Sequence, residues 1–148
     1  MSDFDDDVSR LRAALMRIVR TLDRQVSAGE MTSTQLSVLG SVRRRGPITV
    51  GELADLEGVN PTMLSRVLSK LEDAGFLTRA PSAGDRRVIV AEVTAAGRRH
   101  HDRLRAERSK VLAEHLDHLP EPHAAALRAV LPSLEALAAD LTREPVRS

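Results

Sequence analysis

The segment TVGELADLEGVNPTMLSRVLSKLEDAG, Thr49 to Gly75, most limits what this chain can build. Thr49 and Glu52 have the spacing of a capping box, and Ile48 can staple onto Leu53 across it. The helix they open is short, because Glu57-Gly58 ends it. Asn60 has the chemistry of an N-cap, with Pro61 at the first helical position. Val59 can staple onto Leu64, and Leu64, Val67, Leu68 and Leu71 form one apolar stripe. Gly75 suits the left-handed position after the last turn, and Phe76 can fold back on Leu71. A short helix, a tight glycine-bearing turn and a second helix have helix-turn-helix spacing.

After Gly75 the period changes. Phe76–Ala80 and Arg87–Val93 are expected as two short strands, the second rich in β-branched Val88, Ile89, Val90 and Val93. Between them lie the turn formers Pro81, Ser82, Ala83 and Gly84. A helix-turn-helix followed by a β-hairpin is a winged helix.

The flanks are helical. Val8, Leu11, Leu15, Ile18, Val19, Leu22 and Val26 recur at spacings of three and four, with Gly29 as the expected stop. Thr32 and Gln35 form another capping box, with Met31 placed to staple onto Leu36, and the helix they open carries to about Arg45. Thr94 can cap a helix reaching about His118, with sparse anchors at Leu104, Val111, Leu112, Leu116 and Leu119. Pro120-Glu121-Pro122 breaks it. Leu127, Val130, Leu131, Leu134, Leu137 and Leu141 then make a last amphipathic helix, which Pro132 should kink or split.

The expected fold is therefore mainly α with a small β-hairpin wing: a winged helix-turn-helix with long N- and C-terminal dimerisation helices. Its parts are an N-terminal helix over 1–31, the winged module over 32–95 and C-terminal helices over 96–148. The terminal stripes are too large for a small winged core to cover. Packing on each other within one chain would cover them. So would a symmetric partner, and the chain's length of stripe favours the partner.

Composition removes several functions. Phe4 and Phe76 are the only aromatics, so base-stacking capture of single strands lacks its platforms. Cysteine is absent, so there is no thiolate metal site and no thiol switch. The first residues are acidic (Asp3, Asp5, Asp6, Asp7) and do not resemble a signal peptide, and no apolar run is long enough to span a bilayer. A cytoplasmic location is expected. No nucleophile elbow, zincin motif, phosphate loop or dinucleotide fingerprint occurs, so an enzyme is not expected. No cofactor is called for.

What remains is a surface. Opposite the leucines of the second helix stand Pro61, Thr62, Ser65, Arg66, Ser69 and Lys70. Short hydroxylated side chains let a helix approach a major-groove floor, and cations meet phosphates. At the hairpin, Asp85 precedes Arg86 and Arg87. A guanidinium on a thin protrusion can enter a minor groove, where A·T tracts concentrate negative potential. Asp85 can hold Arg87 through a fork-like pair. The two features converge on double-stranded DNA. The alternative is a winged helix used for protein contact without DNA binding. That use calls for an apolar groove-facing side and no wing arginine.

These residues resemble the MarR family of transcriptional regulators over nearly the whole chain. The resemblance lies in Ser65-Arg66, in the exit Leu71, Glu72, Gly75, Phe76, Leu77, Arg79, in Asp85-Arg86-Arg87, and in Thr94 with Gly97. Val93 departs from the family's usual Leu before the Thr. The resemblance implies a homodimer whose terminal helices interlock, with each recognition helix in a major groove of a pseudo-palindromic operator. It implies Arg87 in the flanking minor groove, Asp85 positioning it, Ser65 and Arg66 on phosphate or bases, and Pro61 and Thr62 opening the DNA-facing helix. It also implies a repressor relieved by a small aromatic or anionic effector. Arg17, Arg20 and Arg24, neighbours on the first helix, could serve such an anion, although a solvated basic face explains them better. His115, His118 and His123 lack a closed ligand set, so no metal site is expected.

Overall fold

The structure is a computed structural model and describes residues 3–27 and 30–142. Six helices and three short strands follow one another as α1 (Asp3–Ser27), α2 (Ser33–Arg45), β1 (Ile48–Thr49), α3 (Val50–Glu57), α4 (Pro61–Asp73), β2 (Leu77–Pro81), β3 (Ile89–Val93), α5 (Ala95–His118) and α6 (Glu121–Thr142). The chain divides into two compact units, Met1–Ser109 and Lys110–Ser148. Gly29, the expected stop of α1, lies outside the described residues.

Local chemistry explains the helix starts. Thr32 accepts the Gln35 N–H at 3.2 Å, and the Gln35 side chain accepts the Thr32 N–H at 2.8 Å. The Thr49–Glu52 box closes the same way, at 3.1 Å in both directions. Asn60 Oδ1 accepts the Met63 N–H at 2.8 Å, and Pro61 opens α4. Each cap satisfies donors that the first turn cannot pair. Gly58 ends α3 at φ 62° and Gly75 follows α4 at φ 79°, left-handed positions where a Cβ is unfavourable. At the end of α4 the Phe76 N–H reaches the Leu71 carbonyl and the Gly75 N–H that of Glu72, both at 2.9 Å, which is a Schellman closure.

The core of the first unit is aliphatic. Val38, Leu39 and Val42 of α2, Leu53 of α3, Leu64 and Leu68 of α4, Ala91 of β3 and Leu104 of α5 are fully buried, with Leu71 and Leu77 nearly so. Ser41 is also buried and donates to Glu57, which takes a second bond from Ser37 and so ties the end of α3 to α2.

The hairpin differs from expectation in three ways. It is part of a three-stranded antiparallel sheet in the order β1-β3-β2, because Ile48 pairs with Ala91 and Thr49 with Val90. The second strand covers Leu77–Pro81, not Phe76–Ala80, because Phe76 is spent on the helix closure. The third begins at Ile89, not Arg87. Arg86 and Arg87 occupy the centre of a turn closed by the Val88 N–H on the Asp85 carbonyl at 3.0 Å. The Ser82 N–H bonds the Val88 carbonyl at 2.7 Å and seals the loop.

The long helices also depart in detail. In α5 only Leu104 of the expected anchors is buried; Leu112 and, just past its end, Leu119 are exposed. α6 continues through Pro132 as one helix, unsplit. Proline removes a single N–H bond there and leaves the flanking turns able to form. Along α1, Phe4, Val8, Leu11, Leu15, Met16, Ile18 and Val19 are exposed, and Val26 alone is buried. Leu127, Val130, Leu131, Leu137 and Leu141 of α6 are exposed as well.

Candidate nucleic-acid interface

The second helix of the pair, α4, is mounted by its buried leucines and leaves Pro61, Thr62, Ser65, Arg66 and Lys70 exposed. Among the described residues, Arg66, Lys70 and Arg86 make no ion pair within the chain, so their charges face outward uncompensated. Ser69, the sixth residue expected on this face, is half-buried, and its Oγ accepts from Arg79 at 3.1 Å.

Arg79 is structural. Its backbone N–H donates to Glu72 Oε2 at 2.8 Å, and its guanidinium donates to Glu72 Oε1 at 3.0 Å. Hydrogen bonds from Arg79 hold the Glu72 carboxyl below its ordinary pKa. The end of α4 and the root of the wing are thus bolted together. Sequence reading placed Arg79 in a motif without seeing this, because its partner is on another element.

A second bolt joins the wing to α5. Thr94 accepts the Gly97 N–H at 3.0 Å and donates its hydroxyl to the Gly75 carbonyl at 2.6 Å, while its N–H reaches the Phe76 carbonyl at 3.0 Å. Phe76 stacks on His100 with ring centroids 4.3 Å apart. The His100 Nε2 is buried and, among the described residues, has no hydrogen-bond partner. Burial first, then the Arg103 charge, lower the His100 pKa from 6.5. Burial, then Arg43, do the same for His101. Neutral imidazoles therefore contribute stability that is full above about pH 6.5 and is lost as pH falls through their lowered values. The melting temperature should drop between pH 7.5 and 5.5. His100→Phe, which keeps the stack, should flatten part of that drop in calorimetry.

At the wing tip Arg87 is 94% exposed in its side chain. Asp85 holds it chiefly through the backbone, its Oδ1 accepting the Arg87 N–H at 3.0 Å. The side-chain contact is one Nε–Oδ1 approach at 3.5 Å, not the fork expected from sequence. The same Oδ1 that caps the turn meets only the Nε edge of the guanidinium, so the rest of it stays free to extend.

Met63 escaped sequence reading. It is 44% exposed on α4, beside Thr62 and Arg66, and an apolar residue draws no attention in a search for polar contacts. Arg17, Arg20 and Arg24 are exposed on α1 and, with Arg12 and Met16, line an open depression of about 500 Å³. Among the described residues no group of three or more His, Cys, Asp or Glu is placed to hold a metal ion, and the His118 ring bonds the Glu114 carbonyl at 2.6 Å. No described helix is long and apolar enough to cross a membrane.

A capped helix pair with an exposed polar second helix, joined to a braced sheet whose tip carries arginine, defines a winged helix-turn-helix protein. The MarR family model matches residues 31–89. An HTH-type transcriptional regulator of Mycobacterium tuberculosis is 35% identical over 108 residues, covering 73% of this chain and 76% of the relative. The HTH-type transcriptional repressor MdtR of Bacillus subtilis is 28% identical over 111 residues, covering 75% and 72%. In fold, RV1404 from Mycobacterium tuberculosis superposes with a TM-score of 0.81 at 22% identity, over 99% of each chain. Streptococcus pneumoniae FabT, solved in complex with DNA, gives 0.70 at 18% identity, over 94% of this chain and 99% of that one. The chain belongs to the MarR family and is a DNA-binding transcriptional regulator.

Proposed function

We propose that the chain works as a homodimer on a pseudo-palindromic double-stranded operator, as a cytoplasmic repressor released by a small aromatic or anionic effector. In this reading residues 1–31 and 96–148 make the dimer and 32–95 bind DNA. Pro61, Thr62, Ser65, Arg66, Ser69 and Lys70 of α4 lie along a major groove. Arg86 and Arg87, positioned by Asp85, reach the flanking minor groove. The observation that carries the reading is the wing tip, an outstretched Arg87 whose turn is pinned by Asp85. Ser69 serves by anchoring Arg79 as much as by touching DNA. The depression at Arg17, Arg20 and Arg24 is the candidate effector seat.

The test is an electrophoretic shift with duplex fragments at graded salt. Affinity should fall with a log-log slope of about −0.9 for each phosphate neutralised. Salt-independent capture of a protein, with duplex ignored, would favour the protein-contact alternative.

The dimer has its own test. Leu137 and Leu141 are exposed on α6 of the single chain, as are Val8, Leu11, Leu15, Ile18 and Val19 of α1, and a long apolar stripe needs cover. Trimming Leu134, Leu137 and Leu141 to Ala removes about 2 kcal/mol per buried side chain. Light scattering should then report monomers, and operator affinity should drop at least tenfold. A persisting dimer would contradict the assignment.

A further inference from the structure

We infer that Met63 is a specificity-determining residue that reads thymine, its thioether packing on a thymine C5-methyl at one position of each half-site. The inference rests on the DNA-binding reading of α4 and adds a side chain that neither motif nor charge points to.

Five large apolar residues lie on α4. Leu64, Val67, Leu68 and Leu71 are buried, and Met63 is not. Its backbone is fixed, because its N–H is the one that Asn60 caps at 2.8 Å. Met63, Arg66 and Lys70 stand at i, i+3 and i+7, on one flank of the exposed face. An apolar group therefore sits beside two cations that make no ion pair among the described residues. The cations suit phosphates, which position a helix without reading sequence. The thioether suits neither phosphate nor solvent. On a major-groove floor the apolar group on display is the thymine methyl, and an unbranched, polarisable side chain can follow it.

The experiment begins with operators recovered from random duplexes. Each thymine is then replaced by deoxyuridine, symmetrically in both half-sites, which deletes the methyl and leaves every hydrogen-bonding edge. Affinities are measured for the wild-type chain, Met63→Ala and Met63→Leu. The wild type should lose about fourfold per half-site at one symmetric position. Met63→Ala should be indifferent to the methyl at that position, and Met63→Leu should still sense it. A flat deoxyuridine profile for the wild type overturns the inference even if a variant fails to fold. So does a Met63→Ala chain as sensitive as the wild type. Both outcomes leave DNA binding intact. A wild-type chain that captures no duplex overturns both readings together.

Discussion

Arg87→Ala is expected to abolish operator binding at working concentrations while the protein stays folded and keeps the proposed dimer. The side chain is almost wholly exposed and, among the described residues, pairs with Asp85 alone, so the fold loses little with it. A minor-groove arginine is worth about 2 kcal/mol per protomer, and two copies compound to roughly a thousandfold in affinity. Asp85→Ala should cost less. It leaves the charge in place and removes the cap on the turn that presents it. Electrophoretic shift beside gel filtration separates the two effects. An Arg87→Ala protein that binds the operator as tightly as its parent would remove the wing from the interface.

Gly97→Ala, where α5 leaves the winged module, should be strongly destabilising. A Cβ at Gly97 lands on the Phe76 carbonyl oxygen, and within 2.8 Å of that carbonyl's carbon and 2.9 Å of Val93 Cγ2. The obstacle is backbone, already committed to the Thr94 N–H at 3.0 Å, so no rotamer change relieves it. Moving α5 away would break the Thr94 bonds that join the wing, the end of α4 and the start of α5. We expect a loss of about 3 kcal/mol or more, in the range of overpacking and lost hydrogen bonds combined. Chemical denaturation should read it directly. Gly51→Ala is the control, because a Cβ there meets nothing within 4 Å. Equal stability of the two variants would refute the close-packing account of the Thr-x-x-Gly start.

Both expectations concern the same problem, which is how a thin charged protrusion is held still. The wing is anchored at three places. Glu72 grips Arg79 at its root, Thr94 ties its exit to the Gly75 carbonyl, and Ile48-Thr49 pairs along β3. Side chains that must meet a groove are useful only when the elements beneath them do not move.

Much of this was legible before any coordinates, and for one reason. Caps and helix stops are interactions between residues three to five apart. Thr32 with Gln35, Thr49 with Glu52, Asn60 as an N-cap, and Phe76 with Leu71 could be read along the chain and hold in the fold. Periodicity likewise placed Leu64, Val67, Leu68 and Leu71 on the buried side of α4. The strands were less legible. Ile48-Thr49 is too short to show alternation, and Thr49 was already spent as a cap. Arg87 sits next to β-branched residues but belongs to the turn, because the first pairing of β3, Ile89 with Pro81, is made with β2 across the loop.

The linear order of residue types determined that this chain makes two capped helices, a glycine-ended exit and a hairpin with arginine beside its bend, since each depends on neighbours along the backbone. Tertiary structure decided which charges are spent and which are offered. Arg79 and Arg43 look no different in sequence from Arg66 and Arg87, yet Glu72 and Asp102 consume the first two. It also decided that Val26 of α1 is covered while Val8 and Leu15 on the same stripe are not. A charge is neutralised, and an apolar group covered, by whatever comes near in space, and that proximity is set by packing between distant elements.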